Sequence, residues 1–241
     1  MLAWIIDVFT NMHWGAVGQI IMIDILLGGD NAVVIALACR NLPKDQRSKG
    51  VFWGTAGAII LRVILITFAV LLLNLPFLKV VGGCLLLWIG YKLILPDDDS
   101  EEEHIKGNTK LFSAIKTIIV ADMVMSIDNV IAIAGAAQQA HEAHQTMLVI
   151  FGLLVSVPFI VGGSQIIMKI LDKFPVIVLF GGAMLGWIAG GLFTSDSFVV
   201  NHVPGVESWK MVAEVICALI VLLAGLYTRK KIAAKKAASA S

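Results

Sequence analysis

Asp24-Ile25-Leu26-Leu27-Gly28-Gly29-Asp30-Asn31 sets two carboxylates and a carboxamide in the middle of an apolar run of about 24 residues that holds no other charge. Ninety-eight residues further on, Asp122-Met123-Val124-Met125-Ser126-Ile127-Asp128-Asn129 repeats the D-x5-D-N spacing in a second apolar run of similar length. An Asp at the centre of a bilayer costs about 2.5–3.5 kcal/mol even on the permissive insertion scale. Four of them at matched positions need a reason beyond packing.

That these runs lie in a bilayer follows from composition. The chain of 241 residues is 59% apolar and 15% charged, with a mean hydropathy of +0.90, whereas soluble domains are roughly a quarter charged. A net charge of +1 and basic residues confined to short clusters give no footprint for nucleic acid. Cys39, Cys84 and Cys217 are far apart and form no CxxC or Cys/His pattern, so they read as packed thiols and not as a disulfide framework or zinc site. The first 39 residues contain no Lys or Arg, so the start lacks the positive region of a cleaved signal peptide.

Residues 1–15, with Trp4, Asp7, Phe9 and Trp14, are too short to span and read as an interfacial lead-in. Apolar segments of spanning length follow near 16–38, 51–73, 76–95, 113–137, 147–168, 175–193 and 211–228, each close to the ~20 residues that cross ~30 Å of hydrocarbon. Uninterrupted apolar runs without two-residue alternation exclude a membrane β-barrel. The fold class is therefore all-α, a polytopic membrane protein of about seven transmembrane helices. Arg40, Lys44, Arg47 and Lys49 after the first span, Lys92, Lys106, Lys110 and Lys116 around the third loop, and Lys169 and Lys173 after the fifth span place those loops in the cytoplasm. No Lys or Arg occurs between Lys116 and Lys169, and Arg229-Lys230-Lys231 follows the last span. The expected topology is N-terminus outside and C-terminus inside, with Lys79 and Lys210 falling against it.

The repeat extends past the two Asp motifs. Ile35-Ala36 matches Ile133-Ala134, Gly54 matches Gly152, Pro76 matches Pro175, Gly82-Gly83 matches Gly181-Gly182 and Trp88-Ile89 matches Trp187-Ile188, all at offsets of 98 or 99. Three spans per copy is an odd number, so the second copy enters upside down. Two inverted three-helix repeats with matching polar motifs at midmembrane are the pattern of secondary transporters. The organisation read from this is lead-in 1–15, first repeat 16–96, acidic cytoplasmic linker 97–112, inverted second repeat 113–193, outer loop and seventh helix 194–228, and basic tail 229–241.

Asp24, Asp30, Asn31, Asp122, Asp128 and Asn129 form an all-oxygen donor set suited to a hard divalent cation such as Mn²⁺, Mg²⁺ or Ca²⁺, carried as cargo without a permanently bound cofactor. In a continuous helix Asp24 and Asp30 point about 120° apart and lie ~9 Å apart along the axis, so one intact helix cannot close around an ion with both. Either Gly28-Gly29 breaks the first span, or the four Asp form a line of stations with Asp24 outermost, Asp30 and Asp128 central and Asp122 innermost. The second copy has Ser126-Ile127 where the first has two glycines, which favours the line. Arg62 is the rare intramembrane cation; it either pairs with an Asp that holds no ion or snorkels to a helix end. Protons are a second expected partner, since these carboxylates titrate. His141, Glu142 and His144 read as wet outer loop, and Lys210 with Glu214 as an i, i+4 pair.

Gly28-Gly29-Asp30-Asn31 and Ser126-Ile127-Asp128-Asn129, set in two homologous halves with a seventh helix, resemble the TerC family of bacterial integral membrane proteins, in its small YjbE-type branch. The likeness runs from about residue 12 to 228. It implies Mn²⁺ efflux across the cytoplasmic membrane, with Asp24, Asp30, Asn31, Asp122, Asp128 and Asn129 carrying the family's intramembrane acidic motif; the spacing alone implied a hard cation. The family's name refers to tellurium resistance, which has no counterpart in these residues. Two other readings stand beside transport: an accessory membrane protein that delivers metal or joins a resistance complex, and an intramembrane aspartyl protease. The protease has no use for two inverted copies with Asn beside each Asp, so no enzymatic activity is expected.

Overall fold

A computed structural model of the chain describes residues 14–68, 75–96, 103–137, 145–174 and 176–239. Every regular element among these residues is helical: α1 (Trp14–Leu27), α2 (Gly29–Cys39), α3 (Lys44–Thr67), α4 (Leu78–Ile94), α5 (Glu103–Ala137), α6 (Gln145–Lys173), α7 (Ile177–Ser195), α8 (Ser197–His202) and α9 (Lys210–Ser239), with a 3₁₀ turn at Val206–Trp209. This is what an apolar chain must do where no water can satisfy its amides. Each of the seven expected runs holds a helix among the described residues, the first as the bent pair α1–α2. By length and composition α3, α6, α7 and α9 can each cross a membrane, and α1 with α2 makes a fifth, broken span. The chain is thus an all-α polytopic membrane protein. Large apolar side chains such as Ile60, Phe159, Phe180 and Leu223 face outward, as lipid contact requires. The lead-in over 1–13, the acidic run 97–102 and His141, Glu142 and His144 lie outside the described residues.

Glycines set the helix contacts, and the contacts obey the repeat. A Cβ on Gly54 of α3 would meet Ile118 of α5 at 2.5 Å, and one on Gly152 of α6 would meet Ile20 of α1 at 2.6 Å. Both members of the second pair stand 98 residues from their counterparts. Between α4 and α7, Gly83 faces Phe193 and the Ala189 carbonyl, while Gly182 faces Ile94 and the Gly90 carbonyl. Here the offset of 99 exchanges one set for the other. Residues 83 and 90–94 meet 189–193 and 182 in reverse order, so α4 and α7 are antiparallel. An antiparallel contact that exchanges with itself has a local two-fold axis across the helices.

The seventh long helix, α9, has no counterpart and packs on α7. Cβ atoms on Gly186 and Gly190 would lie 2.6 Å from the Cys217 carbonyl and 2.5 Å from the Ala213 carbonyl. Gly190→Ala is therefore expected to destabilise the protein by about 1–3 kcal/mol through overpacking. Gly18→Ala, with nothing within 4 Å of its Cβ position, should be neutral or stabilising by up to ~1 kcal/mol. Thermal unfolding in detergent compares the two.

The described connections lie at two ends. At one end Arg47 binds Asp172 at 2.6 Å and Arg40 donates to the Leu95 carbonyl at 3.3 Å, gathering the loops after α2, α4 and α6. At the other, the buried Asp196 carboxylate accepts from the amides of Phe77 (3.3 Å), Lys79 (3.1 Å) and Phe198 (2.9 Å). It caps α8 and ties the start of α4 to the end of α7, a double capping role. Phe77 holds φ 62° there. The expected Lys210–Glu214 pair is present at 4.0 Å.

Candidate metal centre at the break in the first span

Gly28 lies between α1 and α2 with φ −96° and ψ 1°, and the helix axes on either side differ by 47°. A Cβ at Gly28 would collide with the Asp24 carbonyl, whereas one at Gly29 would meet nothing within 4 Å. The break thus depends on one glycine of the pair. It turns Asp30 and Asn31 into the first turn of α2, where exposed amides and the helix dipole favour an anion. The backbone N–H of Asn31 donates to Asp30 Oδ1 at 2.9 Å.

Behind the break, α3 supplies Arg62, which is 3% exposed. Its Nη1 donates to Asp24 Oδ1 and its Nη2 to Asp122 Oδ1, while Nε donates to Ser126 Oγ at 3.0 Å. The Ser126 hydroxyl in turn donates to Asp122 Oδ2 at 3.1 Å. Ser156 of α6 donates to Asp24 Oδ2 and also lies 2.8 Å from the Leu153 carbonyl. One guanidinium therefore clamps a carboxylate from each repeat, and hydroxyls occupy the outer oxygens. Desolvating three ions together is tolerable only with this degree of pairing.

Asn31 is the exception. Its side chain is buried, yet among the described residues neither Nδ2 nor Oδ1 has a hydrogen-bond partner. It shares with Asp122, Val34, Ile35 and Ile118 a cavity of about 10 Å³, near the space of one water-sized group. Asp30 is half-buried and close enough to interact electrostatically with Asp122 and Arg62. Asn129 is buried in α5; the side chain of Asp128 lies outside the described residues. Among the described residues no three His, Cys, Asp or Glu side chains converge on one metal position.

Two expectations are corrected. The first span is broken at Gly28 while α5 runs unbroken through Ser126-Ile127, so the break, the reading not favoured from sequence, is present although the second copy has no matching glycines. Nor are Asp24 and Asp122 outer and inner stations: a guanidinium can bridge only neighbours, and Arg62 holds both. Of the two roles weighed for Arg62, pairing is the one found. From sequence Ser126 reads only as the counterpart of a glycine and Ser156 does not stand out, since a serine in a membrane helix ordinarily bonds back to its own carbonyls.

The profile of the integral membrane protein TerC family matches residues 9–233. The uncharacterized membrane protein YjbE of Bacillus subtilis is 40% identical over 208 residues, covering 86% of this chain and 92% of that protein. The inner membrane protein YgdQ of Escherichia coli K12 is 26% identical over 220 residues, with 85% and 88% covered. A second Bacillus subtilis membrane protein, YceF, is 24% identical over 192 residues, with 76% and 72% covered. No solved structure matches the chain. A profile match over nearly the whole length, with the two acidic motifs inside it, makes this chain a member of the TerC family of integral membrane proteins.

Proposed function

We propose that the protein is a secondary transporter that exports a divalent metal cation, Mn²⁺ first among candidates, across the bacterial cytoplasmic membrane by alternating access. Asp24, Asp30 and Asn31 of the first repeat and Asp122, Asp128 and Asn129 of the second are its ion ligands, and protons are the coupling partner. The N-terminus lies outside and the C-terminus in the cytoplasm. The observation that carries the reading is the buried, unpartnered Asn31 amide sharing a water-sized cavity with Asp122, beside a helix break. A packing role would leave neither polar atom bare, because a buried amide without a partner costs free energy that apolar residues would avoid. Oxygen donors only, with a carboxylate from each half, fit a hard cation.

Mn²⁺ uptake into proteoliposomes, with Ca²⁺ and Mg²⁺ in parallel, tests it. Wild type is expected to move Mn²⁺, and Asp30→Asn and Asp128→Asn should each lower the flux by about tenfold or more, at least the loss seen when a metal site's supporting residues are removed. A folded wild type that moves no divalent ion would leave metal delivery within a larger membrane assembly as the better reading.

A further inference from the structure

Asp24 and Asp122 are equivalent under the 98-residue offset, but Arg62 has no equivalent: the same offset leads to Ile160. A group supplied by one repeat thus sits between two carboxylates that the repeat relates. That is the position an ion shared by the two halves would take. The guanidinium uses three of its five donors there, on Asp24, Asp122 and Ser126, and it is attached to α3 by a flexible stem.

We propose that Arg62 is a tethered stand-in for the transported cation: it occupies the paired Asp24 and Asp122 when no ion is bound, and an arriving divalent ion displaces it. This rests on the transporter reading above and adds to it how the empty carrier returns. Bare carboxylates facing each other at midmembrane would hold the empty protein in whichever conformation hydrates them, because desolvating unpaired charge is costly. With the guanidinium in place each carboxylate is paired and the net charge of the cluster falls from −2 to −1, so the empty carrier can reverse at lower desolvation cost without picking up a second ion. The unpartnered Asn31 amide and the cavity beside Asp122 mark where the incoming ion first finds ligands. A dication gains more from two carboxylates than a monocation does, so the exchange runs forward when metal is present.

Two consequences separate this from a structural strut. In Arg62→Gln the ion no longer competes with a tethered cation, so Mn²⁺ binding to detergent-solubilised protein should tighten by about tenfold or more, as expected when a competing state that holds most of the population is removed. Net Mn²⁺ flux should fall while isotope exchange of Mn²⁺ for Mn²⁺ across the vesicle membrane persists, because exchange never requires the empty carrier to reverse. Arg62→Lys keeps the charge and should retain net flux. If Arg62→Gln is isolated folded only when Mn²⁺ is present, the ion is replacing the guanidinium and the inference stands. Unchanged affinity, parallel loss of net flux and exchange, or a variant unfolded with and without Mn²⁺ would each overturn it. Wild-type flux in the same vesicles keeps the two readings apart. If wild type transports and Arg62→Gln behaves in one of those three ways, only the stand-in role falls. If wild type neither binds nor moves a divalent ion, and Arg62→Gln gains no binding, both fall.

Discussion

The Asp24→Asn, Asp122→Asn double variant is expected to lose about 3–5 kcal/mol of stability, because it leaves the Arg62 guanidinium buried without a counter-charge. Each single variant keeps one carboxylate on Arg62 and should lose less than half of that. The triple variant, with Arg62→Gln added, is expected to recover most of the loss, since three amides of similar size can hydrogen-bond to one another and to Ser126 and Ser156 where the ions were. Mn²⁺ flux should remain at background in both the double and the triple variant. Thermal unfolding read beside vesicle flux therefore separates charge balance from ion handling. A double variant as stable as wild type would mean that the Asp24–Arg62–Asp122 clamp is not formed in the membrane.

That clamp shows where sequence reasoning was sufficient and where it stopped. The two Asp-Asn motifs and the repeat offset were legible because an intramembrane carboxylate is costly and a doubled one is hard to reach by drift; the reciprocal Gly54–Ile118 and Gly152–Ile20 contacts are the same offset in three dimensions. Helix positions were legible for the same reason that the fold is helical, the absence of any other way to satisfy the backbone in lipid. The partner of Arg62 was not. Residue 62 and residue 122 lie on α3 and α5, and nothing local in either helix says which face meets the other. The buried carboxylate of Asp196 was missed as well. An Asp just before Ser197-Phe198 in a loop looks like an ordinary solvated cap, and its second task, at the amides of Phe77 and Lys79, lies 117–119 residues away.

The glycine pair is the finest case, because its two members do different jobs that composition cannot separate. Gly28→Ala places a methyl group against the Asp24 carbonyl, and relief requires the backbone to open or straighten at the break. Overpacking of that kind costs about 1–3 kcal/mol. The larger consequence is positional: straightening carries Asp30 and Asn31 around the helix axis, away from the cavity that Asn31 shares with Asp122. Mn²⁺ flux in Gly28→Ala is expected to fall by about 10²-fold, the scale of loss that follows from a misplacement of about 1 Å in an oriented site. Gly29→Ala meets nothing within 4 Å and should transport like wild type with slightly raised stability. Equal behaviour of the two variants would mean that the pair acts only as a small-residue surface for helix packing. Divergence in the stated direction would make Gly28 the hinge that turns one apolar span into two half-helices, with Asp24 on the first and Asp30 and Asn31 in the opening turn of the second.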